Sequence, residues 1–305
     1  MSASVVPATT LHSGAVDASP PPGGRDQERV RIGSSQLLLG LSLLLTWALL
    51  YLLVLSGLEE GHAQSELYEE LRTELALGTA PSGAPIAAGS PVALLSIPGA
   101  DVDDLVVVEG SRPEQLQDGP GHVLGSVLPG QRGVSVVAGR SLTFGAPFAT
   151  IADLPYGAPI VVTTGQGKFV YEVVSVRTKG DPVPAAPPAE GSRLTLVTAA
   201  RGGGLDGLQP SQTVYVDATL TDGAVTRGPV ATVDPGAKPM SVVVDTTTLA
   251  LLALSLQLLL VALAAFTWAW LRWSRAAAWI AGAPCVLAAL WLVSSLATRL
   301  LPAVI

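Results

Sequence analysis

Thiols, imidazoles and ammonium groups are scarce in this chain of 305 residues, which has one cysteine and three histidines. Only three lysines accompany its arginines. The single thiol, Cys285, lies in an apolar run, about ten residues or roughly 15 Å from its start along a helix. A thiol placed there acts as a small hydrophobe, not a thiolate. The polar middle of the chain, residues 59–247, therefore carries no disulfide and no thiol nucleophile. His12, His62 and His122 are too scattered to make a metal set, which leaves only carboxylates. Asp101, Asp103 and Asp104 crowd one turn, a pattern that suits calcium loosely and a solvated turn better. Gly202, Gly203 and Gly204 are not followed by the Lys-Ser/Thr of a phosphate-binding loop. The composition calls for no metal and no cofactor.

Positive charge is also short. The net charge is −7, and residues 59–247 alone hold 21 acidic against 11 basic side chains. That balance argues against nucleic acid or anionic lipid as a partner of this segment. What the chain has in abundance is apolar length. Residues 36–58, 247–271 and 276–297 are nearly uncharged, and each exceeds or matches the roughly 20 residues that cross about 30 Å of hydrocarbon. The first follows a long polar stretch and lacks a small-x-small cleavage site at Gly57-Leu58-Glu59, so it reads as an uncleaved anchor. All six tryptophans lie in or beside these runs, and Trp268, Trp270, Trp273 and Trp279 mark one interface. Arg25, Arg29 and Arg31 before the first span, with Arg272 and Arg275 between the second and third, put those flanks in the cytoplasm. The expected location is a bacterial plasma membrane. The N-terminus is then cytoplasmic and residues 59–247 are extracytoplasmic.

Between the spans the organisation changes twice. Residues 1–35 are polar and rich in Pro, Gly and Ser, as expected of a disordered tail. Residues 59–91 combine a short helix over 61–77, with Leu67, Leu71 and Leu75 on one stripe, and a Gly/Pro/Ala linker. From Val92 the period becomes two. Residues 92–97, 105–108, 135–138, 159–164, 168–177, 193–198 and 213–220 are predicted strands, and Gly165-Gln166-Gly167 is a hairpin turn. Seven or eight short strands in about 130 residues predict a mainly β domain, a small closed barrel over 92–220. Residues 221–246 form a Gly/Pro/Thr-rich tether back to the membrane.

Several blocks of this barrel resemble sortases, the bacterial cysteine transpeptidases that attach surface proteins to the cell wall. They are Leu95-Ser96-Ile97-Pro98 with Val106-Val107-Val108-Glu109-Gly110, then Gly119-Pro120-Gly121-His122 with Leu128-Pro129-Gly130-Gln131. Val136-Val137-Ala138-Gly139-Arg140 with Phe144-Gly145-Ala146-Pro147-Phe148 follow, then Leu194-Thr195-Leu196-Val197-Thr198-Ala199 and Thr213-Val214-Tyr215-Val216. They occur in family order, and the actinobacterial class E branch is the most similar. The resemblance implies a sortase-like barrel and three catalytic positions. A cysteine attacks the sorting-signal carbonyl, a histidine moves the proton and an arginine steadies the oxyanion. The matching positions hold Ala199 for the cysteine, Arg140 for the histidine, and Gln212 or its neighbour Thr213 for the arginine.

Alanine is no nucleophile, and arginine stays protonated and is no base near neutral pH. Thr198 offers a hydroxyl, but strand alternation points it away from the Ala199 face. His122 falls on the turn histidine of the family pattern, not the catalytic one. The expected function is a catalytically inactive, sortase-like membrane protein that binds or scaffolds cell-envelope proteins. Arg140, Arg201, His122 and Thr198 are its candidate ligand-binding residues, and a protein or peptide is its partner. Two alternatives stay open: a cysteine-independent transpeptidase or hydrolase acting on C-terminal sorting signals, and a purely structural membrane subunit. Small residues such as Ala281-Gly282-Ala283 permit close helix contact in the extra hairpin, which favours docking of other membrane proteins. The C-terminal Leu301-Pro302-Ala303-Val304-Ile305 lacks the basic tail of a sorted substrate.

Overall fold

The alternating Val, Ile and Leu runs close on themselves. The computed structural model describes residues 38–200, 212–232, 246–272 and 275–300. Its strands are β1 (Pro91–Ile97), β2 (Val102–Glu109), β3 (Gly121–His122), β4 (Gly133–Ala138), β5 (Pro159–Thr164), β6 (Gly167–Thr178), β7 (Ser192–Ala199) and β8 (Thr213–Leu220). They form a closed barrel in the order β1-β2-β3-β4-β7-β8-β6-β5, with β1 pairing back onto β5. The β2–β3 and β4–β7 pairs are parallel and the others antiparallel. β3 is a two-residue strand that no periodicity of two signals.

Burial follows the pleat. In β5, Ile160, Val162 and Thr164 point inward, while the intervening residues are exposed or half-buried. The barrel interior gathers Leu95, Ile97, Val107, Ile160, Leu194 and Val216 with Phe148 and Tyr171. β7 is buried on both faces. Leu194 and Leu196 face the interior, whereas Val197 joins a second cluster with Leu116, Val123 and Ala138 on the outer face. The β5–β6 hairpin turns over Gly165-Gln166, pairing Thr164 with Gly167.

Among the described residues, three helices are long and apolar enough to cross a membrane: α1 (Leu38–Leu77), α2 (Thr246–Arg272) and α3, whose span is Ala278–Thr298 within Arg275–Thr298. The short helix expected at 61–77 is not a separate element. Residues 38–77 are helical throughout, with one π-helical turn at Tyr51–Leu55. No proline interrupts this stretch, and the good helix formers around Gly57 and Gly61 outweigh the roughly 1 kcal/mol each glycine costs. From Glu59 onward α1 carries six glutamates, so its apolar part ends at Leu58 and the remainder packs on the barrel. Leu71 is fully buried there, with Leu67 and Leu75 half-buried beside it. Gln64 uses both ends of its amide. Its Oε1 accepts from the Val106 N–H (2.8 Å), and its Nε2 donates to Val106 O (3.1 Å) and Asp118 O (2.7 Å).

The expected tether at 221–246 begins as part of the barrel. Val225 N–H donates to Gly130 O (2.9 Å), Arg132 N–H donates to Val225 O (3.0 Å), and Gly228 N–H donates to Gln131 Oε1 (3.0 Å). Helices α2 and α3 meet through Phe266, Trp270 and Trp279, whose ring centroids lie 5.8–6.3 Å apart. Gly282 makes room for Phe266, since a Cβ there would overlap the ring. The end of α3 reaches the barrel, where Gln117 Nε2 donates to Thr298 Oγ1 (3.0 Å).

Candidate functional site

The strand register brings the three positions singled out by sequence to one end of three neighbouring strands. β4 and β7 run parallel, pairing Ala138 with Val197, so Gly139 and Arg140 leave β4 beside Thr198 and Ala199. β7 and β8 run antiparallel, pairing Ala199 with Thr213. Ala200 N–H then donates to Gln212 O (2.7 Å), which fixes Gln212 next to the end of β7. Arg140, Ala199 and Gln212 thus converge, although 72 residues of sequence separate the first from the last.

Ala199 presents a methyl group that is 4% exposed. Thr198 faces the other side of β7, where its buried hydroxyl donates to Gly139 O (3.1 Å) and ties β7 to β4. Gln212 is exposed. Arg201 lies outside the described residues.

Arg140 is the largest fully buried side chain of the described residues. It turns inward under the loop between β2 and β3. Nε donates to Leu116 O (2.9 Å), Nη2 to Pro113 O (3.0 Å) and Nη1 to Thr143 Oγ1 (3.2 Å). The guanidinium also stacks over the Phe144 ring, 4.8 Å from its centroid. Burial pulls its pKa down to about 10, still well above neutral, so the side chain is charged. A histidine at this position would be too short to reach all three acceptors. The loop following Arg140 is held to α1, because Phe144 N–H donates to Ser56 Oγ (3.1 Å). Phe144, Gly145 and Ala146 all adopt positive φ (51°, 70° and 49°), a tight left-handed turn against Gly57.

His122 is buried within a different group. Its Nδ1 lies 2.8 Å from Glu109 Oε2, and its Nε2 lies 2.9 Å from both Val127 O and Ser126 Oγ. Ser126 Oγ donates to Val123 O (2.7 Å) and accepts from the Val136 N–H (3.2 Å). Serine, histidine and carboxylate stand in nucleophile-base-orienter order, yet the serine proton is directed at the backbone. Glu109, Ser126 and Thr143 were not among the residues the sequence singled out. Only Glu109 carried a signal, as the acid of Val108-Glu109-Gly110 facing a strand with a histidine.

On the outer face of β8, Asp217 is fully buried. It accepts from Thr195 Oγ1 (2.7 Å) and Arg177 Nε (2.7 Å), and the Arg177 guanidinium lies over Tyr215 at 4.3 Å. Among the described residues no group of three His, Cys, Asp or Glu side chains is placed to hold a metal. Cys285 sits on α3, its thiol directed at Ala281 O of the preceding turn (3.4 Å).

No curated protein matches the chain. Among solved structures it is similar to a sortase D5 transpeptidase of Clostridium perfringens (21% identity, TM-score 0.43, covering 53% of this chain and 99% of that one). It is also similar to sortase E of Streptomyces avermitilis (26%, 0.37, 45% and 92%) and to sortase A of Corynebacterium diphtheriae (22%, 0.38, 57% and 86%). The sortase domain family matches residues 95–220, which run from β1 to the last residue of β8 and hold the whole closed barrel except the first residues of β1. That barrel is a sortase-family domain.

Proposed function

We propose that this sortase-family membrane protein is not a transpeptidase and serves instead to bind or scaffold other proteins of the bacterial cell envelope. One observation carries the reading: a methyl group, Ala199, occupies the end of β7 where the family chemistry needs a thiolate. The neighbouring Arg140 supports it. A charged guanidinium with its N–H groups directed at Leu116 O, Pro113 O and Thr143 Oγ1 is neither a base nor an acid for a leaving amine. Those contacts also favour an internal tie for Arg140 over a ligand contact. Binding of a sorting-signal-like peptide then falls to the exposed Gln212 and the ends of β7 and β8 beside it. The arginines flanking the spans favour a cytoplasmic N-terminus and an extracytoplasmic barrel.

The test is incubation of the full-length protein in nanodiscs with sorting-signal peptides and an amine acceptor, followed by mass spectrometry. We expect no cleavage and no transfer, with peptide binding at millimolar concentration or tighter. Turnover would overturn the reading. A second reading has one observation in its favour, the Ser126–His122–Glu109 alignment. Hydrolysis abolished by Ser126→Ala would establish it, and hydrolysis that persists in that variant would exclude it.

A further inference from the structure

Two adjoining clefts run between α1 and the turn linking β1 to β2. One, about 310 Å³, is lined by Glu60, Asp101 and Asp103 together with the Gly145–Ala146 turn and Thr150. The other, about 410 Å³, is lined by Glu69, Asp103 and Asp104 with Gln64 and Tyr68. They share Asp103 and Leu105, so they form one trough carrying five carboxylates and no lysine, arginine or histidine in its lining.

An acidic surface alone says little, but Glu60 is not at the surface. It is 8% exposed, and its Oε2 lies against Gly145, where an added Cβ would come within 2.5 Å. Among the described residues its carboxylate has no hydrogen-bond or ion-pair partner, although it lines the cleft. A buried carboxylate without a partner is costly, and such groups are normally paired. Gly145 is left-handed (φ 70°) and has no Cβ, so the acid has room to point into the cleft.

We infer that this trough is a docking site for a basic segment of a partner protein, with one lysine or arginine side chain inserted against Glu60 and a second cation lying over Asp103 and Asp104. The spread of acids along two contiguous clefts fits a segment with several positive side chains better than a single ion. No three of these acids converge in metal-binding geometry. Glu60 is two residues past the apolar part of α1, so the partner's basic residues would sit just outside its own membrane span. The inference does not rest on the absence of catalysis, because the trough uses none of Arg140, Ala199 or Gln212.

Glu60 also gives the site a pH signature. Burial, reinforced by Asp118, pushes its pKa up to about 7. The titratable groups around it are Glu59 on its own helix, Asp118 in the β2–β3 loop, and Asp101 and Asp103 across the cleft. Arg299 at the end of α3 acts on Asp118, and the 143–150 turn brings none. An inserted cation favours the ionised acid, so binding tightens as pH rises through 7.

The test uses the full-length protein in phosphatidylcholine nanodiscs, which carry no net charge, and fluorescence anisotropy of labelled pentalysine and pentaarginine peptides at 150 mM salt. Glu60→Gln, close in shape to the protonated acid, and Asp103→Asn are each expected to weaken at least one peptide about tenfold or more. Glu172→Gln, an exposed acid on β6, is expected to change nothing. Affinity of the unmodified protein is expected to rise from pH 6 to pH 8, with the rise lost in Glu60→Gln. Equal weakening by all three variants would mean diffuse attraction to an acidic protein and would overturn the proposal. So would binding without pH dependence, or peptide displacement by 1 mM calcium that Glu60→Gln abolishes. Circular dichroism of each variant separates lost binding from lost folding.

Discussion

Replacing Arg140 by alanine is the substitution that best separates an internal tie from a ligand-binding residue. The guanidinium donates to two backbone carbonyls, Leu116 O and Pro113 O, and to Thr143 Oγ1, all buried. A hydrogen bond from a charged donor contributes roughly 1.5–3 kcal/mol, so three contribute on the order of 6 kcal/mol before any offset. Against this stands the cost of burying the charge itself. The fall in pKa from 12.5 to about 10 corresponds to roughly 3 kcal/mol, which alanine would recover. The stranded carbonyls and the space left beside Phe144 add to the loss. The balance is a net destabilisation of about 3 kcal/mol, or a fall of roughly 10 °C in Tm for a barrel of this size. Tryptophan fluorescence cannot report it, because all six tryptophans lie outside residues 92–220. Hydrogen exchange followed by mass spectrometry can. The amides of Leu116, Gln117 and Asp118, bonded to Arg112 O, Glu114 O and Gln115 O, should exchange faster in the variant. Arg140→Lys should recover only part of the loss, since an ammonium cannot reproduce the three-way fork. If Arg140→Ala leaves exchange and Tm unchanged but removes peptide binding, the side chain faces a ligand and the assignment of an internal tie is wrong.

Ala199→Cys alone is expected to give no acyl-enzyme with a sorting-signal peptide by mass spectrometry, because Arg140 supplies no base; acylation would place the family histidine elsewhere in this chain. Glu60 should make the protein less stable as pH rises. Its folded pKa, raised from 4.5 to about 7, means the native state holds more protons than the unfolded chain between those values. Stability therefore falls through that window, by on the order of 3 kcal/mol, and Glu60→Gln should raise Tm at pH 8 but not at pH 4; a variant indistinguishable from the parent at pH 8 would refute this. Gly139→Ala should destabilise the barrel by about 1–3 kcal/mol, since its Cβ would enter the fully buried ring of Phe148. An unchanged Tm would show that Phe148 has space to move.

The barrel was largely legible in the sequence because its strands obey the period of two, and β5 and β8 occupy the residues their patterns predict. β3 was not legible. Two residues cannot show a period, and Gly121-His122 is a strand only because β2 and β4 bracket it. The continuity of α1 was hidden for another reason. Composition switches sharply at Glu59, and a change of solvent looks like a change of element even when the backbone carries on unbroken. The convergence of Arg140, Ala199 and Gln212 follows from strand register, which the family pattern implied. The fate of the Arg140 side chain did not, because its acceptors are carbonyls, and every residue has one. The trough beside Glu60 was equally silent: its acids come from two segments about 35 residues apart, and Gly145, which makes room for the carboxylate, follows some 40 residues later.

These contacts bear on how a sortase barrel would accommodate arginine and alanine at the positions that the proposed reading assigns to the family's chemistry. A catalytic histidine must stay free to reach substrate, so the loop beneath it needs other support. Here the loop over residues 113–118 is supported from three sides. Arg140 holds the Leu116 and Pro113 carbonyls, Gln64 of α1 holds the Asp118 carbonyl, and Gln117 reaches Thr298 of α3. The segment after Arg140 is likewise fixed, with Phe144 bonded to Ser56 and Gly145 pressed against Gly57 and Glu60. An end of the barrel that would have to move around a substrate is thereby bolted to two membrane helices. Coupling of this kind stabilises a fixed relation between barrel and membrane, and a scaffold benefits from such rigidity where an enzyme's substrate loops require motion.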